Sequence, residues 1–251
     1  MDRLPFAFVD SVVHLFSLRT IYQEPLSRLN NGLWKDVLGV HSQKRVEYYL
    51  SVMITDDDVK VEVRDLKFQE VPIETALEDD RRYARIYFYH INNFTSKKPK
   101  PEIFNQAKIK LVRSLLTHLP INQLQILSVY DKCELFSIPE FLFKVPSPDV
   151  SVSKFFSREV LEYHLFENDR LERFTSKSGT FDLYWGLIES WKQGELLDLT
   201  EKRGKTGDDF VKVGFEVKGD RDLRNRFIYE KSFSKIKNGT TTSVKFVLDV
   251  Y

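Results

Sequence analysis

Residues 33–68, LWKDVLGVHSQKRVEYYLSVMITDDDVKVEVRDLKF, change their hydrophobic period halfway along. Leu33, Trp34, Val37, Leu38 and His41 recur at helical spacing, and the run closes on the basic pair Lys44-Arg45. From Tyr48 to Thr55, and again from Val59 to Phe68, apolar and polar residues alternate with the two-residue period of half-buried strands. Asp56-Asp57-Asp58 supplies the turn between them. A helix that hands over to a hairpin within a few residues divides the chain in two, with a boundary expected at residue 45.

Upstream of the switch the pattern is helical. Pro5 suits a first helical position, where its missing N–H costs nothing. Val9, Val12, Val13 and Phe16 then fall at i, i+3, i+4 and i+7, with Phe8 and Leu15 widening the stripe. Pro25 can open a short second helix through Leu26 and Leu29, and Asn30-Asn31-Gly32 reads as its stop. Three short helices in about 45 residues hold too little core to be very stable alone.

Downstream, Arg85 to Ile91 (RIYFYHI) is a third strand. Pro101 opens a helix in which Phe104, Ala107, Leu111 and Leu115 share a face, stopped by Pro120. Leu124 to Tyr130 reads as a buried strand, Ile138 to Val145 as a short helix, Val150 to Val152 as a weak strand. A helix follows Ser157, a strand spans Leu171 to Thr175, and Phe181, Tyr184, Trp185, Ile188 and Trp191 form the clearest helical stripe, closed by Gly194. Val211, Val213, Phe215 and Val217 alternate with polar residues as a strand, and Phe227 to Tyr229 and Val244 to Val250 complete a β-meander. Helix and strand recur at intervals of about 25–40 residues, the range of solenoid repeats, without a residue-level consensus. The fold class expected is α+β: a small helical module over residues 1–45, then a mixed α/β domain over 46–251.

Composition narrows the function. At 42% hydrophobic and 30% charged residues the chain is that of an ordinary folded protein. With 38 basic and 37 acidic residues, a surface built around phosphate contacts is not expected, so nucleic acid is disfavoured as a partner. Cys133 stands alone and can form no internal disulfide, which suits a reducing compartment. Residues 1–16 interrupt their apolar pattern with Asp2, Pro5, Asp10 and His14, unlike a secretory leader, and no apolar run reaches about 18 residues. No membrane association and a cytoplasmic or nuclear location are therefore expected.

Local catalytic signatures are missing. The five histidines show no i, i+3 or i+4 pair, so no local zinc set exists. Gly204-Lys205-Thr206 looks like the tail of a phosphate loop, but the glycine that motif needs is replaced by Leu199. Cys133 lies between acids, which raise rather than lower a thiol pKa. No enzyme activity, metal or cofactor is expected.

The order Leu4-Pro5, Phe8-Val9, Val12-Val13, a break, Leu26 and Leu29, then Leu33-Trp34 resembles the F-box. It is most similar to the large nematode F-box families, in which a degenerate F-box precedes an associated region of strands and helices. The segment from Phe181 to Trp191-Lys192-Gln193-Gly194 is similar to a helix followed by the W-x-x-G element of such regions. The resemblance implies a substrate-recognition adaptor of a Skp–cullin–F-box ubiquitin ligase, binding a Skp-type adaptor and an unidentified substrate protein. By the same resemblance Leu4, Pro5, Phe8, Val9, Val12 and Val13 would form the adaptor interface, with Leu33 and Trp34 anchoring the third helix. The alternative is a stand-alone interaction or scaffold protein whose N-terminal helices belong to a single domain.

Overall fold

The computed structural model describes residues 5–15, 32–94, 100–128, 139–152, 158–177, 181–194, 207–219, 227–237 and 240–250. Leu4, Leu26, Leu29, Cys133 and the Gly204-Lys205-Thr206 stretch lie outside them. In chain order the elements are helices α1 (Phe6–Leu15) and α2 (Gly32–Lys44), strands β1 (Val46–Ile54) and β2 (Val59–Arg64), then α3 (Ile73–Glu78) and β3 (Ala84–Asn93). A 3-10 turn (Pro101–Asn105) leads into α4 (Ala107–His118), β4 (Ile121–Ser128), α5 (Glu140–Phe143) and β5 (Asp149–Val152). Helix α6 (Arg158–Glu162) runs on as a π turn (Tyr163–Glu167) before β6 (Arg173–Lys177). Helices α7 (Phe181–Gln193) and α8 (Gly207–Lys212) and strands β7 (Glu216–Gly219), β8 (Phe227–Lys237) and β9 (Thr240–Val250) complete the series.

All nine described strands join one sheet in the order β2-β1-β3-β4-β5-β6-β9-β8-β7. From β1 through β3, β4, β5 and β6 to β9 every pairing is parallel, while β1–β2, β7–β8 and β8–β9 are antiparallel. The protein is thus a mixed α/β fold on a mostly parallel sheet. Each parallel strand lies beside the one before it, so the crossovers advance in a single direction and carry their helices over one face.

The hydrophobic core lies between that face and those helices. Leu50, Val52 and Ile54 of β1, Ile86, Tyr89 and Ile91 of β3, Leu124 and Ile126 of β4 and Val150 and Val152 of β5 are all buried. Ile109, Val112 and Leu115 of α4, Leu142 and Phe143 of α5, and Tyr184, Leu187 and Trp191 of α7 belong to the same buried cluster. Full burial of each such side chain contributes about 1.5–3 kcal/mol.

Tertiary packing departs from the sequence reading at three places. The expected stripe of Phe104, Ala107, Leu111 and Leu115 is broken because Gln106 is extended (φ −61, ψ 148) and resets the helical phase. The buried set in α4 becomes Ile109, Val112, Leu115 and Leu116, and Ala107 is exposed. Val211 and Val213, expected in a strand, belong to the end of α8 and the turn after it, and both are exposed. Phe210 and Phe215 decide this: both are buried, their rings meet at 5.0 Å, and the Phe215 amide donates to the Phe210 carbonyl across a turn in which Gly214 has φ +86. Gly32, expected in a stop signal, is the first residue of α2.

His164 ties two crossovers together. It is fully buried, with Nε2 2.9 Å from the Phe143 carbonyl and Nδ1 facing the Asn168 amide at 3.4 Å. A carbonyl can only accept, so Nε2 carries the proton, and the ring must be neutral for Nδ1 to accept from Asn168. Burial, opposed only by the Phe143 bond, pushes its pKa down to about 4. The folded value is below the unfolded one of 6.5, so this contribution to stability is complete above pH 6.5 and is lost as pH falls toward about 4. Urea titrations across that range should show stability falling with acidification in wild type. In His164→Gln, which keeps a donor for the Phe143 carbonyl, the slope should flatten.

Candidate functional site

Helices α1 and α2 form a pair with a core of their own. Val9, Val13, Val37 and Leu38 make a small buried cluster, flanked by half-buried Leu33 and Trp34 and distinct from the main core. What joins the pair to the sheet is polar. Asp10 accepts from His41 Nε2 at 3.0 Å and from Arg82 Nε at 3.2 Å. Arg45 Nη2 lies 3.0 Å from His41 Nδ1 and donates to the Val13 carbonyl at 3.0 Å. The Tyr83 ring meets His41 edge-on and has Lys44 and Arg82 over its faces.

This clasp fixes the state of His41. A guanidinium can only donate, so Nδ1 is the acceptor and the proton sits on Nε2, toward Asp10. Burial lowers the His41 pKa; the Asp10 hydrogen bond opposes the shift and Arg45 adds to it. Arg45 is brought down to about 10, chiefly by burial and then by Arg85, and so stays charged at neutral pH. The clasp therefore needs a neutral His41 between an anion and a cation. No linker lies at the expected boundary, since α2 ends at Lys44, β1 starts at Val46 and Arg45 between them is buried.

The residues expected at the partner interface separate into two groups. Pro5 and Phe8 are exposed, Phe8 at 50%, and Phe6, which the sequence reading passed over, is 51% exposed. Val12 is half-buried, while Val9 and Val13 are completely buried and hold the pair together. A contact stripe of Leu4, Pro5, Phe8, Val9, Val12 and Val13 is thus corrected: the apolar surface offered is Pro5, Phe6 and Phe8, with Leu4 outside the described residues.

A second surface is the sheet face opposite the helices. There the register aligns Arg64, Tyr49, Phe88, Gln123, Asp149, Arg173 and Lys245 in one row. The next row runs through Glu62, Ser51, His90, Gln125, Ser151, Thr175 and Val247. Parallel order makes such rows continuous, because side chains in register on neighbouring strands project from the same face. No reversal of strand order occurs within the parallel run, so the crevice that binds nucleotides in doubly wound sheets has no counterpart among the described strands. Nor do three His, Cys, Asp or Glu side chains converge anywhere among the described residues.

One end of this face is aromatic. A β-bulge in the pairing of β1 with β3 makes Tyr48 and Tyr49 oppose Ile86 and Phe88, with Tyr87 as the extra residue. Tyr87 and Phe88 both lie against Tyr49, at 5.7 Å and 6.4 Å between centroids. From above, Phe68 stacks on Tyr49 at 5.0 Å with the rings 22° from parallel. Phe68 has φ 61 and is 64% exposed. Its backbone is held there because Asp65 Oδ1 accepts from the amides of Lys67 and Gln69, and the Phe68 amide donates to the Asp65 carbonyl. Below it opens a pocket of about 330 Å³ between Tyr49, Phe68, Phe88, His90, Glu62 and Arg64. A left-handed backbone costs a residue with a Cβ about 1–2 kcal/mol. The hydrophobic pattern gave no sign of this feature; the turn-forming Asp65 was the only local cue.

Among family models, curated proteins and solved structures, none matches this chain. Among the described residues no helix is long and apolar enough to cross a membrane.

Asp10→Ala should destabilise the helical pair by about 2 kcal/mol, by leaving Arg82 and the His41 N–H without their acceptor, and speed amide exchange in α1 and α2 before that in β3 and β4. Since the folded His41 pKa is the lower one, wild type should loosen in the same amides as pH drops below 6.5. Phe68→Gly should leave stability in urea within about 1 kcal/mol of wild type, because relief of the positive φ offsets the lost ring stacking. By contrast Phe68→Val, β-branched at positive φ, should lower stability by about 2 kcal/mol.

Proposed function

We propose that this chain is a substrate-recognition adaptor of a Skp–cullin–F-box ubiquitin ligase, with α1 and α2 binding a Skp-type adaptor and the open sheet face receiving a target protein. The observation that carries this reading is that the helical pair has its own apolar cluster and grips the sheet through polar groups, which leaves Phe6 and Phe8 about half exposed. Exposed aromatic side chains beside a proline, on a helix already packed on its other face, are the anchors that a helix-docking partner uses. The second helix expected from Pro25 through Leu29 lies outside the described residues. On the other surface, the Phe68 shelf is a rigid, backbone-pinned ring over a pocket, the kind of locally strained feature that surrounding structure maintains for binding. In this role the chain does no chemistry; it holds two proteins at once.

The immediate passage from α2 into β1 through buried Arg45 favours a second reading, a scaffold protein in which the helices are one part of a single domain. Binding separates the two. Full-length protein should co-purify with a Skp-type adaptor, and Phe6→Ser/Phe8→Ser should abolish the interaction without changing the far-ultraviolet circular dichroism. Phe68→Gly should leave it intact. If wild type fails to bind where an established F-box binds, the adaptor reading is wrong and the scaffold reading stands.

A further inference from the structure

The third large surface feature lies at the end of the sheet where the parallel strands begin. Four connections meet there: the turn before β3, the junction of α4 with β4, the segment between α5 and β5, and the turn before β6. Together they line a cleft of about 670 Å³, within the ~300–1,000 Å³ of ligand-binding pockets. Its floor is apolar, with Leu119, Ile121 and Val145 buried beneath it.

The rim is cationic. Arg81, Arg113, Lys144 and Arg170 line it, with Asp169 as the acidic member. Lys144 is occupied by Glu140 at 3.1 Å, and Arg113 lies over the Phe141 ring, 5.2 Å from its centre. No carboxylate pairs with Arg81, Arg113 or Arg170 among the described residues, and all three are exposed. In a chain with a formal charge of +1, three such guanidinium groups around one hollow are a local excess. Both Arg81 and Arg170 ride on fixed turns. The turn holding Arg81 is closed by Asp80, which accepts from the Arg82 and Tyr83 amides. That holding Arg170 is set by Asn168, whose side chain accepts from the Arg170 amide and donates to the Ser147 carbonyl. The backbone positions are set while the cationic heads are free to reach a ligand.

We propose that this cleft binds an acidic segment of a partner protein in extended form. Four neighbouring strands at ~4.8 Å spacing span about 14 Å, the length of about four residues of extended chain. Apolar side chains of such a segment would sit on the Leu119–Val145 floor, while its carboxylates reach Arg81, Arg113 and Arg170. A nucleic acid fits less well. Non-specific duplex binding uses a rail of some six to ten phosphate contacts, and of the two aromatic side chains in the cleft lining, His118 and Phe141, the larger is already covered by Arg113. The site is separate from Phe6, Phe8 and the Phe68 shelf, and its binding does not depend on the adaptor reading.

Fluorescence polarisation with the full-length protein tests it. The probe is a fluorescein-labelled peptide repeating Glu-Leu-Gly, compared with the same peptide carrying lysine for glutamate and with single-stranded oligothymidylate. Wild type should bind the glutamate peptide, more weakly as salt rises, and should not bind the lysine peptide. Arg81→Glu/Arg170→Glu should weaken binding at least about tenfold, the scale of a lost charged hydrogen bond. Arg81→Gln/Arg170→Gln should lose less in the same direction, and Lys67→Glu, an exposed charge reversal elsewhere, should change nothing. Equal affinity in wild type and both double variants overturns the proposal, as does binding of the lysine peptide or tighter binding of oligothymidylate.

Discussion

Parallel pairing that advances in one direction, from β1 through β3, β4, β5 and β6 to β9, is the constraint from which the rest of this structure follows. A parallel strand cannot be reached by a tight turn, so each step needs a crossover, and crossovers of one hand return on one side of the sheet. That side becomes the core, where Leu50, Ile86, Leu124 and Val150 meet helices α4 and α7. The opposite side is left with rows of polar and aromatic residues held in register. The same connections bring four segments distant in sequence to one end of the sheet, where Arg81, Arg113 and Arg170 gather around a hollow. The open sheet face and the cationic cleft are both consequences of one pairing rule.

The helical pair is attached by a different kind of interaction. Its apolar cluster does not merge with the main core, and its hold on the sheet runs through Asp10, His41, Arg45, Arg82 and Tyr83. A polar clasp is demanding in geometry: an acceptor, a neutral ring and a donor must each be in place. Such contacts fix orientation more than they add stability, because buried charges lose hydration as they pair. The pair is held in one orientation on the sheet while its aromatic side chains Phe6 and Phe8 remain about half exposed. Phe68 is held in a comparable way, by backbone hydrogen bonds to Asp65 that keep its ring over Tyr49 despite a positive φ.

Several elements were legible from local pattern alone. The switch of period between α2 and β1, the hairpin through Asp56-Asp57-Asp58, the strand at β3 and the helix α7 ending at Gly194 (φ +85) all show in residue spacing. Others were not, for physical reasons. Gln106 breaks a helical phase that single-period counting carries straight through. Val211 and Val213 alternate like a strand, yet buried contacts of Phe210 with Trp185 and Phe215 bend the chain into a helix and turn. Val9 and Val13 share a stripe with Phe8, but only packing against Val37 and Leu38 reveals which part of the stripe faces inward.

Hydrophobic period and turn chemistry act between residues close in the chain, so the sequence by itself determined the helical start and the run of strand and helix that follows, while the α+β class expected from it gives way to a mixed α/β fold through parallel pairing. The sequence also marked the N-terminal stripe from which the adaptor reading grows. Only the tertiary structure decided the order of the strands, the open face and its aromatic end, the Asp10–His41–Arg45 clasp and the cationic cleft. These depend on residues separated by tens of positions, such as Asp10 with His41 or Arg81 with Arg170. Which of them meet is set by strand pairing and core burial across the whole chain, and nearest-neighbour pattern carries no record of it.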